Sequence, residues 1–305
     1  MITTPPSGEP NPQGSLDRLV ELIQVAPTGD DTFRGHSEDI GTPAVFGGQV
    51  LGQALMAACL AAPEGRGVHS LHAYFLLPGE HAPIDYEVER VRDGSSFSMR
   101  RVVARQQQET IFEMLASFQL RELGLERHDP MPPIPGPDGV RSEVEHRRAI
   151  LDRLPPSLRD KVMVPSGIEY RPVVPFDLFD AAPREARASI WLRASGRLPD
   201  APALHQALLA YASDHGLLIT GTLPHGLSVL KGQVRLASID HAMWFHRDFR
   251  IDDWLLYHVE SSTASGGRAL CRGTVYAQDG RLVATTMQEG LMRLRRRAPR
   301  APDAA

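Results

Sequence analysis

Only two cysteines, Cys59 and Cys271, occur in the 305 residues. They lie far apart among apolar neighbours, so they build no disulfide framework, and with no CxxC pair they build no zinc site. They read as small buried side chains of a reducing compartment. Positive charge is not in excess either. A formal net charge of -4 leaves no broad basic field, which excludes nucleic acid as the expected partner. No apolar run reaches the length of a membrane span, and no membrane partner is expected. The first residues, Met1-Ile2-Thr3-Thr4-Pro5-Pro6, stay polar up to Ser15 and lack the charged-then-apolar order of a secretory leader. The last residues, Ala301-Pro302-Asp303-Ala304-Ala305, carry no peroxisomal or reticulum address, so the cytoplasm is the expected location. There is no Walker A loop, no Rossmann fingerprint and no GxSxG elbow. The histidines are dispersed, and no metal or other cofactor is expected.

What is present is a core-forming composition, 42% hydrophobic and 23% charged. Residues 1–15 are rich in Pro, Gly, Ser and Asn and read as a disordered tail. A patterned region follows over 16–120. Breakers over 130–139 mark a linker, 121–165, with a charged helix over about 141–154. A second patterned region covers 166–297, and 298–305 reads as a tail that continues the basic run beginning at Arg293.

The two regions echo each other. Gln53-Ala54-Leu55-Met56-Ala57 answers Gln206-Ala207-Leu208-Leu209-Ala210, and His72-Ala73 answers His241-Ala242. In each region a helix is followed by strand-like segments: 83–92, 96–107 and 110–120 in the first, 253–263, 267–277 and 282–294 in the second. Val50, Leu51, Ala54, Leu55, Ala58 and Cys59 form an apolar stripe on the first helix; Leu204, Ala207, Leu208 and Tyr211 do so on the second. One helix covers a four-strand antiparallel run only if the sheet curls around it. The predicted fold is α+β, a tandem (double) hotdog, the pairing of the two sheets removing an exposed edge.

Three polar residues interrupt apolar faces in the second region. Asp214 continues the stripe of the second helix; it reads either as a buried functional carboxylate or as a helix cap. A strand over 233–245 places Ser238 on one face with Val234, Leu236, Asp240, Ala242 and Trp244, which makes Asp240 a rival carboxylate. The last strand places Gln288 on a face with Leu282, Ala284, Thr286, Gly290, Met292 and Leu294. A carboxylate, a hydroxyl and an amide together can activate water as general base and aim it, with no covalent intermediate.

These segments carry a family resemblance. Leu209-Ala210-Tyr211-Ala212-Ser213-Asp214, Ser238-Ile239-Asp240-His241-Ala242-Met243-Trp244-Phe245-His246 and Thr286-Met287-Gln288-Glu289-Gly290 resemble the type II acyl-CoA thioesterases, the thioesterase B family. Phe33-Arg34-Gly35, Val45-Phe46-Gly47-Gly48-Gln49, Gly52-Gln53-Ala54 and Arg92-Asp93-Gly94 resemble that family's first hotdog. The resemblance implies hydrolysis of fatty acyl-CoA to fatty acid and CoA, with Asp214, Ser238 and Gln288 at the positions of the family's aspartate, threonine and glutamine. Serine in place of threonine keeps the hydroxyl and loses the methyl that fixes its rotamer. The first region carries Ala61 where the register puts Asp214, so one working site per chain is expected. Gly47-Gly48 opens the first helix. Its backbone N–H groups either receive a thioester oxyanion or CoA phosphate, or the glycines only permit close packing.

Two rivals share the fold. A hotdog enoyl-CoA hydratase uses an Asp and a His five positions apart; Asp31/His36, Asp200/His205 and Asp253/His258 have that spacing, as chance allows. A non-catalytic acyl-CoA-binding module would not need the three polar residues. Assembly into a dimer or tetramer is expected, because hotdog sheets often pair further.

Overall fold

A computed structural model describes residues 11–153, 159, 166–176, 182–229 and 231–295. The expected tail over 298–305, the first ten residues of the expected tail over 1–15, and linker residues 154–158 and 160–165 lie outside the described residues. Helix α1 (Pro12–Ile23) begins inside the stretch expected to be disordered. Asn11 caps it, its side chain accepting from the Gly14 N–H at 3.2 Å, and a proline opens the first turn. Leu16, Leu19, Leu22 and Ile23 then bury one face.

The strands form one antiparallel sheet. In the first half these are β1 (Ala26–Gly29), β2 (Thr32–Gly35), β3 (Arg66–Phe75), β4 (Ile84–Asp93), β5 (Phe97–Gln106) and β6 (Glu109–Leu120). In the second they are β7 (Ile168–Pro172), β8 (Arg187–Ala194), β9 (Val234–Ser238), β10 (Asp240–Phe245), β11 (Leu255–Ser265), β12 (Arg268–Ala277) and β13 (Leu282–Leu294). The order is β1-β2-β4-β5-β6-β3-β10-β13-β12-β11-β8-β7, with β9 also on β13. The second half repeats the order of the first in reverse, and β3 pairs antiparallel with β10 at the join. The predicted tandem hotdog is therefore the fold.

Helices α2 (Gly47–Leu60) and α4 (Pro202–Ser213) lie in the curl of the two half-sheets. They are buried almost all round rather than along a stripe, because α2 packs on its half-sheet and on α4, and α4 packs on α2, α1 and β3. They run antiparallel: a side chain at Gly48 would collide with the Tyr211 carbonyl oxygen, and one at Gly52 would lie 3.0 Å from that of Ala207. The linker helix α3 (Glu143–Ala149) is shorter than expected and has a complete capping box between Ser142 and Glu145. Upstream of α3 the linker covers the outside of the second half-sheet, where Met131 and Ile134 pack on Trp191, Leu256 and Tyr276.

Two sequence readings change. The strand expected over 233–245 is broken at Ile239. Ser238 pairs with Gly290, but Ala242 pairs with Met287, so one extra residue bulges out of the ladder. The bulge flips the alternation, and His241, Met243 and Phe245 are the buried residues of β10. Asp240, Ala242 and Trp244 therefore do not share a face with Ser238. A matching bulge in β3, where Val68 pairs with Phe118 and Ser70 with Ser117, sets the true register. His72 then corresponds to Ala242, so the echo of His72-Ala73 with His241-Ala242 is out by one residue.

Candidate active site

Asp214 is the C-cap of α4, half-buried, and its carboxylate reaches both other polar candidates. Asp214 thus ends the helix and also contacts both other polar candidates. The Ser238 hydroxyl, at the end of β9, donates to Asp214 Oδ1 at 3.2 Å. The Gln288 amide, wholly buried on β13, donates to the same oxygen at 2.7 Å and to Ser238 Oγ at 2.9 Å. Both amide hydrogens are spent in this closed triangle, which fixes the amide orientation: reversed, Gln288 Oε1 would face the carboxylate. The three residues touch one another rather than surrounding a space. Asp214 Oδ1 is saturated, and a proton taken up by the carboxylate goes to Oδ2.

Oδ2 faces the start of α2. A Cβ on Gly47 would lie 2.8 Å from it and 3.1 Å from the Phe75 ring, so only glycine leaves this approach open. No side chain caps α2, whose first N–H groups have no intrahelical partner. The carboxylate sits at the C-terminal end of α4, where the peptide dipoles disfavour it, and at the N-terminal end of α2, where they favour it. Gly48 has a packing role, since any side chain there would collide with the Tyr211 carbonyl and Phe46. Phe46 stands edge-on to Tyr211 at 5.2 Å, giving the site an aromatic border.

The rival carboxylate is used elsewhere. Asp240 Oδ1 accepts the Glu289 N–H at 2.6 Å and closes the bulge; burial, partly offset by that bond, raises its pKa. The hydratase spacings bring no Asp–His pair together. Asp31 binds Arg90, Asp253 binds Arg197, and Asp200 binds Arg250, while His205 takes the Ile251 N–H and His258 meets Ser189. Burial pushes the Cys271 thiol, across the ladder from Gln288, upward in pKa and away from the thiolate a nucleophile requires. Two surface grooves of about 440 and 420 Å³ share Phe249, Arg250, Asp253 and Arg281, and the second reaches Pro202 and His205 at the start of α4, away from Asp214. Arg250 and Arg281 in them are already paired with Asp252 and Asp279.

Two contacts were not legible in the sequence. His215, next after Asp214, stacks on Tyr170 at 4.2 Å and meets Glu143 of α3 at 3.1 Å. Burial works to raise the Glu143 carboxyl, but His215 and Arg147 outweigh it and hold it at about 2. The linker helix is thereby tied to the turn that carries the carboxylate. The second contact lies behind Asp214, where Ser213 meets the buried His241. Its sequence signal, a histidine three residues after Ser238, was masked by the bulge.

Among the described residues no helix is long and apolar enough to cross a membrane. Residues 178–291 match the family described as acyl-CoA thioesterase, and residues 34–119 match the acyl-CoA thioesterase N-terminal domain. Over 279 residues the chain is 40% identical to acyl-CoA thioesterase 2 of Haemophilus influenzae, covering 91% of this chain and 98% of that one. It is 36% identical over 301 residues to human acyl-coenzyme A thioesterase 8, covering 93% and 92% of the two chains. A solved structure, the acyl-CoA thioesterase II TesB2 of Mycobacterium marinum, matches with a TM-score of 0.74 at 38% identity over 91% of this chain and 98% of that chain.

Proposed function

Since the chain belongs to the acyl-CoA thioesterase family and is a thioester hydrolase, we propose that Asp214 is its general base, with Ser238 and Gln288 holding the carboxylate in place. The observation that carries this is the closed triangle on Oδ1, which leaves Oδ2 as the one carboxylate oxygen with room to work. Water bound at Oδ2 loses a proton to it as its oxygen attacks the thioester carbonyl carbon. The oxyanion is received by the free N–H groups of Gly47 and Gly48 at the start of α2. As the C–S bond breaks, the proton on Asp214 passes to the CoA sulfur, giving free acid and thiol. No covalent acyl-enzyme and no cofactor enters this scheme.

The substrate is a fatty acyl-CoA, its apolar portion bordered by Phe46, Phe75 and Tyr211. The catalytic hotdog is 166–297, the non-catalytic copy 16–120, and 121–165 the linker. The protein works in the cytoplasm as a homo-oligomer, a dimer or tetramer, a state that light scattering measures directly. The test of the mechanism is thiol release from a panel of acyl-CoAs by wild type and Asp214→Asn. The variant should fold and lose about 10²- to 10⁴-fold in kcat. Full turnover in the variant would end the assignment of the base.

A further inference from the structure

Four buried polar side chains that the proposed reaction does not use, Ser213, His241, Tyr257 and Thr286, form one cluster around the residue before the base. Ser213 ends α4 and is wholly buried. Its hydroxyl donates to the Ala210 carbonyl at 2.9 Å and lies 3.1 Å from His241 Nε2. With the serine hydrogen spent on Ala210, the histidine donates through Nε2–H. Nδ1 then carries a bare lone pair, buried and without a partner among the described residues. The Ser213 carbonyl accepts from the Tyr257 hydroxyl at 3.0 Å, and that hydroxyl lies 2.8 Å from Thr286 Oγ1. Gly273 makes the room, since a side chain there would collide with both Tyr257 and Thr286.

The first half keeps the tyrosine, as Tyr86, but shows that the fold requires neither the histidine nor the threonine. By the ladder register His241 corresponds to Leu71 and Thr286 to Met114, both apolar and buried. A buried histidine with an unsatisfied nitrogen is costly, and nothing in the sheet demands it. What differs between the halves is that only α4 ends in a working carboxylate. A last helical turn is held by few intrahelical bonds, and a displacement of about 1 Å at a reacting group can cost on the order of 10²-fold in rate.

We infer that His241 is a positioning residue for the reaction: acting through the Ser213 hydroxyl, it fixes the terminal turn of α4 and so the direction of the Asp214 carboxylate. This rests on Asp214 being the base. Burial pushes the His241 pKa down to about 4, against the pull of Asp214, so the ring works as a neutral donor.

The experiment compares kcat and KM for one acyl-CoA in four variants, with melting temperature as the check on folding. His241→Leu installs the residue of the first half and should lower kcat roughly 10- to 100-fold, with KM within about twofold. His241→Gln, whose amide can donate to Ser213, should restore most of the loss. Ser213→Ala should reproduce the loss, and adding it to His241→Leu should cost nothing more. A merely structural role would lower melting temperature and the yield of active protein, leaving kcat per active molecule unchanged. Wild-type kcat in His241→Leu, or in Ser213→Ala, would overturn the inference, as would a loss confined to KM. Should His241→Leu fail to fold, Ser213→Ala and His241→Gln still decide. Asp214→Asn assayed alongside keeps the two readings apart: turnover there removes the base, whereas its loss together with an unaffected His241→Leu removes only the positioning role.

Discussion

The helix pair has two ends built on one plan, and they differ in the side chains they carry: a carboxylate, a hydroxyl and an amide at one, their apolar counterparts at the other. At the first end α4 finishes in Asp214 beside the start of α2. At the second α2 finishes in Ala61, the matching C-cap. The ladders extend the correspondence: Ser238 becomes Val68, and Gln288 becomes Ala116. Where Cys271 lies opposite Gln288, Arg100 lies opposite Ala116, and its buried guanidinium donates to the Ala61 carbonyl at 2.9 Å and to Asp93 at 2.9 Å. A cation thus occupies the helix C-terminus at this end, the arrangement the peptide dipoles favour. A carboxylate occupies the other, where the donors of Ser238 and Gln288 and the facing N-terminus of α2 offset the unfavourable dipole. The fold is satisfied by either set; the anion is the one placed against local electrostatics, as expected where a group is held for reaction rather than stability.

The largest effect should come from turning the first end into the second. Asp214→Ala, Ser238→Val and Gln288→Ala together copy Ala61, Val68 and Ala116. Turnover should fall at least as far as in Asp214→Asn, about 10²- to 10⁴-fold. Single and triple variants should be far from additive, because the three side chains form one bonded unit. Circular dichroism should show the fold kept. Residual activity in the triple variant close to wild type would mean that the other end, or Asp240, carries the reaction.

The reverse break is Arg100→Met. It removes the guanidinium donor from the carbonyls of Ala61, Met99 and Arg92 and from Asp93, which keeps Ser98. The loss that counts is the charge-assisted bond to the buried Ala61 carbonyl, so about 2–3 kcal/mol is expected by denaturant unfolding. Turnover per folded molecule should stay at the wild-type value. If kcat falls as well, the second end supports the first and the halves are not independent.

Much of this was readable in advance because it is periodic. Helical spacing set Asp214 on an apolar face, and strand alternation set Gln288 inward, as both are found. The duplicated pattern implied the hotdog pair. What periodicity misread lies where one residue breaks the period. The bulge at Ile239 hid His241 and put Asp240 on the wrong face, and no local composition marks it. α1 was lost to its Pro- and Gly-rich start, although Asn11 and Pro12 form a cap and a first turn. Arg100 carries no periodic signal, since a lone arginine in a strand ordinarily faces solvent, and only the sheet's curl encloses it.

The smallest expected effect concerns Ser238, where the resemblance to the thioesterase B family implies a threonine. Its hydroxyl donates to Asp214 and accepts from Gln288, and both bonds need one rotamer. Serine reaches that rotamer at some cost in entropy; the methyl of threonine restricts the choice beforehand. Ser238→Thr should therefore raise kcat about two- to threefold, under 1 kcal/mol of barrier, with KM unchanged. The site allows a direct check of whether there is room. Ser238 stands one residue before the bulge and is only half-buried, and its counterpart Val68 is β-branched and fits the same ladder position. A rise in kcat would show that the two ends share their geometry down to the Cβ substituents. A fall would show that the bulge at Ile239 is tighter than the one in β3, and that serine is there because a methyl does not fit.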